Sequence, residues 1–142
     1  MRGFTLPEVL LVAVLLAVML LLAMPSYQQH VLQAHRAIAV AELSELSVRL
    51  DGFFQDHRRY AGGLDDLGMP SDPYAIDAQG QPLAVSDPRR IYRLELRLEG
   101  NGFRISAHPQ LAQTADTECA VLSLTDYGLR SVSGSAPVSQ CW

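Results

Sequence analysis

From Val9 to Met24 the chain carries no charged or strongly polar side chain. A run of this kind, starting at Phe4, predicts a helix long enough to span a membrane with little to spare. Pro25 interrupts it, and proline inside a helix removes a hydrogen bond and kinks the axis. The pattern then resumes without a turn signal. Tyr27, Val31, Ala34, Ile38 and Ala41 recur at spacings of four and three, and Leu43, Leu46, Leu50 and Phe53 follow at three, four and three. This is an amphipathic helix whose apolar stripe shifts partway. Gln28, Gln29, Gln33, Arg36, Glu42, Glu45 and Arg49 fall mostly off the stripe. A helix from Phe4 to about Arg59 is about 80 Å long and must protrude from so small a domain. Its first half is buried only by lipid or by other subunits.

Tyr60 to Arg90 is punctuated by glycine and proline, among them Gly62-Gly63, Pro70, Pro73 and Pro82. It reads as an irregular connection with at most short helical or strand pieces, long enough to pack on the domain and serve a function. Strict alternation begins at Tyr92. Tyr92, Leu94, Leu96 and Leu98 form one face, and Arg93, Glu95, Arg97 and Glu99 the other. Gly100-Asn101-Gly102 turns the chain into a second strand through Phe103, Ile105 and Ala107. Cys119 to Leu124 predicts a third strand and Leu129 to Val132 a fourth. The expected fold is α+β, with a long N-terminal helix laid by its second half on a small antiparallel sheet.

The start of the chain, Met1-Arg2-Gly3-Phe4-Thr5-Leu6-Pro7-Glu8, places one carboxylate at the head of the apolar run. At the centre of a bilayer a comparable acidic residue costs about 2.5–3.5 kcal/mol, so its presence calls for a use. An ordinary secretory signal would have a more basic start and a small-x-small cleavage site, and Leu22-Ala23-Met24-Pro25-Ser26-Tyr27 offers none. A plain signal anchor explains the run but neither Gly3-Phe4 nor Glu8. The arrangement resembles the class III signal of type IV prepilins and pseudopilins. That resemblance implies cleavage between Gly3 and Phe4, N-methylation of Phe4, and a role for Glu8 in assembly.

The last third adds detail. Gln113-Thr114-Ala115-Asp116-Thr117-Glu118-Cys119, Leu122-Ser123-Leu124, Tyr127-Gly128 and Cys141-Trp142 are similar to the PilE class of minor pilins. The resemblance implies a pilin-like ladle. By that resemblance residues 1–3 would be the leader, 4–27 the apolar transmembrane and filament-core helix, and 28–142 a periplasmic head. It implies a minor pilin that primes assembly or sits at the pilus tip, supporting twitching motility and attachment. The implied partners are other major and minor pilins, the prepilin peptidase and the inner-membrane assembly platform. The chain would reside in the inner membrane first and in the surface pilus afterwards. A minor pseudopilin of a type II secretion system is the alternative with the same fold. A pilus-displayed adhesin or DNA-uptake receptor is the alternative of another class. Pro7 departs from the aliphatic residue usual before this glutamate in major pilins and fits a minor subunit.

The physical account of Glu8 is a charge pair with the amino terminus of a neighbouring subunit, which relieves two poorly solvated charges and fixes the axial stagger. The competing account has Glu8 merely mark the headgroup boundary. Pro25 bends the rod so that the apolar half and the head pack separately, or is a tolerated defect. Behind an export signal, the even and late pair Cys119 and Cys141 reads as a disulfide, and two buried thiols are the alternative. A loop of this length stabilises a fold by about 3 kcal/mol in the chain-entropy model.

The net charge of −4 argues against non-specific nucleic-acid binding, and all basic residues are arginine. Arg89, Arg90, Arg93, Arg97 and Arg104 would gather on one strand face and contact phosphates. Glu95 and Glu99 share that face, so cross-strand pairing is the simpler reading. Asp65, Asp66, Asp72, Asp77 and Asp87 match no calcium-loop spacing. His30, His35, His57 and His108 have no ligand companions, and no catalytic fingerprint is present. The expectation is no catalytic site, no metal and no cofactor. A Gly3→Val chain is expected to keep its leader, because a side chain there obstructs close approach of a protease to the backbone. Intact mass of the membrane-extracted protein reads the outcome directly.

Overall fold

The computed structural model describes residues 5–142, apart from the side chains of residues 22–26. Gly3 and Phe4 therefore lie outside the described residues, as does the side chain of Pro25. One helix, α1, covers Leu6–His57 and continues as helix through position 25. The chain divides into two compact units, Met1–Gln33 and Ala34–Trp142.

In the first unit every described side chain from Thr5 to Leu21 is exposed, including Leu6, Leu15 and Leu21. The side chains of the apolar run expected to span a membrane are described as far as residue 21. A span needs about 20 consecutive apolar residues. Among the described residues no helix is long and apolar enough to cross a membrane.

The second unit is a six-stranded antiparallel sheet against residues 34–57 of α1. The strands are β1 (Tyr74–Ile76), β2 (Pro82–Leu83), β3 (Tyr92–Glu99), β4 (Gly102–Pro109), β5 (Leu122–Thr125) and β6 (Arg130–Val132), in spatial order β2-β1-β3-β4-β5-β6. A short helix, α2, covers Val138–Cys141. The α+β architecture matches the expectation from the sequence. β3 and β4 pair along their whole length, from Tyr92↔Pro109 to Glu99↔Gly102. Gly100 takes φ 60° at their turn, a left-handed conformation that glycine adopts without steric cost.

Over residues 34–41 the helix face that enters the core differs from the one the spacing suggests, while Leu43, Leu46 and Leu50 are buried as expected. Arg36, Ala39, Leu43, Leu46 and Leu50 are buried, while Ala34 and Ala41 are exposed and Ile38 is half-buried. Positions 36, 39, 43, 46 and 50 form one continuous stripe at three-four spacing, so the stripe does not shift. An arginine and an alanine stand where it crosses 36–39, and an arginine does not read as a core position. Leu43, Leu46 and Leu50 join Tyr74, Ile76, Tyr92, Leu94, Phe103, Ile105 and Leu122 in one core.

On β3 the alternation holds at Tyr92 and Leu94, which are fully buried. It fades through half-buried Leu96 to Leu98, which is 52% exposed beside the hairpin turn. β1 and β2 lie inside the segment expected to be irregular. Asp77 builds the turn between them, accepting the N–H groups of Gln79 and Gln81 at 2.9 Å each, with Gly80 at φ 74°. The predicted third strand starts three residues late because Ala120 takes φ 51°, outside the strand region.

Candidate interaction surface

Glu8 lies in the first turn of α1. Thr5 precedes the helix, and its carbonyl accepts the N–H groups of Glu8 and Val9 at 3.0 and 3.2 Å. The N–H of Thr5 in turn faces Glu8 Oε2 at 3.5 Å. Threonine before a helix with glutamate three residues on is the sequence of a capping box, in which the carboxylate reaches back to the first N–H. The helix dipole favours a negative charge in the same turn. Glu8 thus has a local partner that the sequence reading did not assign, while its side chain stays exposed and free to pair elsewhere.

In the second unit a disulfide closes the C-terminal loop on itself, and an ion pair fastens the loop to α1. Cys119 and Cys141 form a disulfide, with Cα atoms 5.7 Å apart. Arg36 reaches from α1 to Asp116 through two parallel contacts, Nε to Oδ2 at 3.0 Å and Nη2 to Oδ1 at 2.8 Å. Both residues are buried. Its Nη1 donates to the Gln140 carbonyl at 3.3 Å, next to Cys141. Asp116 Oδ1 also accepts the Cys119 N–H at 3.4 Å. One buried carboxylate therefore ties the helix to the start of the disulfide loop, and one guanidinium ties the helix to its end. Beside them Gln113 Nε2 donates to the Tyr92 hydroxyl at 3.1 Å, and Gln113 Oε1 lies 3.0 Å from His35 Nδ1. Burial pushes the Tyr92 hydroxyl up to about 12.

The arginines expected on one strand face are largely paired. Arg93 and Arg97 both contact Glu95, at 3.1 and 3.4 Å, and His108 lies 3.3 Å from the same carboxylate. Arg104 grips Glu99 through two bonds of 2.8 and 3.1 Å, which hold that carboxylate below its usual range. Arg89 does the same for Asp87, and Arg90 donates to the Asp87 carbonyl. The register puts Arg93, Arg97 and Arg104 on one face and Arg130, opposite Leu124, on the other. Arg130 lies over the Trp142 ring at 5.4 Å. No single cationic stripe gathers all of them.

The loop aspartates serve the backbone. Asp66 accepts the Gly62 N–H, Asp72 those of Leu64 and Leu96, and Asp87 that of Arg89. Asp77 does the same at its turn. Among the described residues no cluster of His, Cys, Asp or Glu is placed to hold a metal ion. His57 stacks on Phe53 at 4.0 Å, and its Nδ1 lies 3.1 Å from the Phe53 carbonyl.

Residues 25–123 match the family model described as type IV minor pilin ComP, DNA uptake sequence receptor. The matched span runs from within α1 into β5 and includes Arg36, Asp116 and Cys119. A comparison with curated proteins finds no match. The match agrees with the minor-pilin resemblance of the sequence, and it names a class other than PilE.

The buried pair makes a measurable demand. Arg36→Ala or Asp116→Ala leaves one charge buried alone and is expected to destabilise the chain by about 3–5 kcal/mol. Arg36→Met with Asp116→Leu removes both charges and is expected to cost less than either single change. Urea unfolding of the full chain in detergent micelles, followed by circular dichroism, compares the three.

Proposed function

We propose that this chain serves as a minor subunit of a type IV pilus, from the premise that it belongs to the ComP family of type IV minor pilins, whose model covers residues 25–123. That coverage is the observation that carries the reading. The finer account rests on the N-terminal residues. The leader is cut between Gly3 and Phe4, Phe4 is methylated, and the apolar run 9–24 sits in the inner membrane until the subunit enters the filament. There Glu8 pairs with a neighbour's amino terminus, a contact worth most where water is scarce. Pro25 lets the two halves of α1 pack separately. The role is structural, without catalysis, in priming assembly or at the tip as in the PilE class. The partners are other pilins, the peptidase and the assembly platform. A minor pseudopilin would share all of this chemistry.

Glu8→Ala is expected to leave cleavage and methylation intact. Its level in sheared filaments should fall roughly tenfold or more, since about 1.4 kcal/mol already corresponds to a factor of ten. Mass spectrometry and immunoblotting of membranes and sheared filaments measure both. Wild-type incorporation of the variant would remove the charge-pair account.

The family description supports a second reading, a receptor for DNA during uptake. The pairing of Arg93, Arg97 and Arg104 with carboxylates limits the positive field on the sheet, so phosphates would have to compete for those cations. This reading expects a duplex gel shift by the full chain at low salt that weakens steeply as salt rises. No shift at low salt would end it.

A further inference from the structure

The aromatic end of α1 borders a cleft that nothing above uses. It has a volume of about 560 Å³ and is lined by Phe54, Arg58, Arg59, Tyr60, Leu98 and the hairpin turn at 100–102. Binding pockets typically fall between about 300 and 1,000 Å³. Its wall is apolar. Phe54 and Tyr60 pack at 4.7 Å between ring centroids, and Tyr60 meets Phe103 edge-on at 5.0 Å. Leu98 and Phe54 remain partly open to solvent at 52% and 37%.

The rim is cationic. Arg58 and Arg59 are exposed, and neither has a carboxylate partner among the described residues, in contrast to Arg93, Arg97 and Arg104. Arg59 lies over the Phe53 ring at 5.5 Å. Arg58 takes φ 58° where α1 stops, its N–H bonded to the Phe54 carbonyl at 2.8 Å. A left-handed residue after a helix is usually glycine, and another residue there costs about 1–2 kcal/mol. An arginine in that conformation keeps its charge at the mouth of the cleft. Burial, with the carboxylates of Asp51 and Asp126, holds the Tyr60 hydroxyl above its usual range, so it remains a donor.

We propose that this cleft docks a peptide segment of a neighbouring pilus subunit, seating an aromatic side chain against Phe54, Tyr60 and Leu98 and flanking carboxylates on Arg58 and Arg59. The identity of the partner as a subunit rests on the minor-pilin reading. Two arguments favour a peptide over nucleic acid. A stacked duplex has no side group to insert, and an unstacked base must first leave its neighbours at a cost of a few kcal/mol. The charges of Asp51 and Asp126 act on the Tyr60 hydroxyl, so negative charge is disfavoured along the wall and is best placed at Arg58 and Arg59, which suits separate carboxylates better than a continuous phosphate chain.

The test uses the full chain in detergent micelles and a fluorescein-labelled glutamate-tryptophan-glutamate-glutamate peptide, followed by anisotropy. Saturable binding is expected. It should weaken roughly tenfold or more in Arg58→Gln/Arg59→Gln, and equally when the peptide glutamates are replaced by glutamine, consistent with loss of charge-assisted bonds. The glutamine peptide on the unaltered chain keeps the result readable if the double variant folds poorly. Phe54→Ala should also weaken binding, and Arg89→Gln should not. Absence of binding, indifference to the peptide charge, or displacement by a thymidine dodecamer would overturn the proposal. Binding is read on the isolated chain, so it stands or falls separately from filament entry by the Glu8 variant.

Discussion

The second unit depends on one buried contact between residues eighty positions apart, Arg36 and Asp116. Removing two charges from water costs several kcal/mol each, and only good geometry with the remaining groups bonded recovers it. Here the guanidinium spends one face on the carboxylate and another nitrogen on the Gln140 carbonyl, while the carboxylate also holds the Cys119 N–H. A pair so arranged adds little net stability over a well-packed apolar pair. What it adds is selectivity. An apolar stripe slides along an apolar sheet at modest cost, whereas a bidentate ion pair tolerates one alignment of helix and loop. The disulfide fixes the loop to itself, and the ion pair fixes the loop to the helix.

Much of this was legible in the sequence, for identifiable reasons. Leu43, Leu46 and Leu50 announced a helical core face because they are large, apolar and correctly spaced. Tyr92 to Glu99 announced a strand because its alternation is unbroken. The cysteine pair needed only the inference of an oxidising compartment. Arg36 reads as off the stripe because a charged residue on a core face becomes reasonable only once its distant partner is known, and nothing local to position 36 names Asp116. β1 and β2 were hidden by their brevity. A strand of three residues and one of two carry no usable period; β1 finds its partner in β3, and β2 pairs with β1 at the edge. The pairing on the arginine face is legible because Glu95 sits two positions from Arg93 and from Arg97 on one strand face, so these pairs run along β3, while Arg104 meets Glu99 across the hairpin, as cross-strand pairing expects. The cleft left no signature at all. It exists because the end of one helix and the turn of one hairpin, forty residues apart, happen to adjoin.

The two units solve burial differently. The second encloses its own apolar side chains between helix and sheet. The first has nothing of its own to cover Leu6 to Leu21, and at about 25 cal/mol per Å² such exposure is unfavourable in water. A sequence that keeps it carries its partner's half of the interaction implicitly.

The margins of the sheet have a further consequence. On one side Pro82 occupies β2, so that edge lacks a donor where a joining strand would need one. On the other, α2 packs beside β6, and the Trp142 indole N–H donates to the Ser131 carbonyl at 3.3 Å, holding the end of the chain against the edge strand. Open strand edges are templates for indefinite stacking between molecules. With one edge interrupted and the other covered, copies at high local concentration are steered away from growing as a continuous sheet. Ordered association must then proceed through side-chain surfaces, where chemistry rather than backbone alone chooses the neighbour.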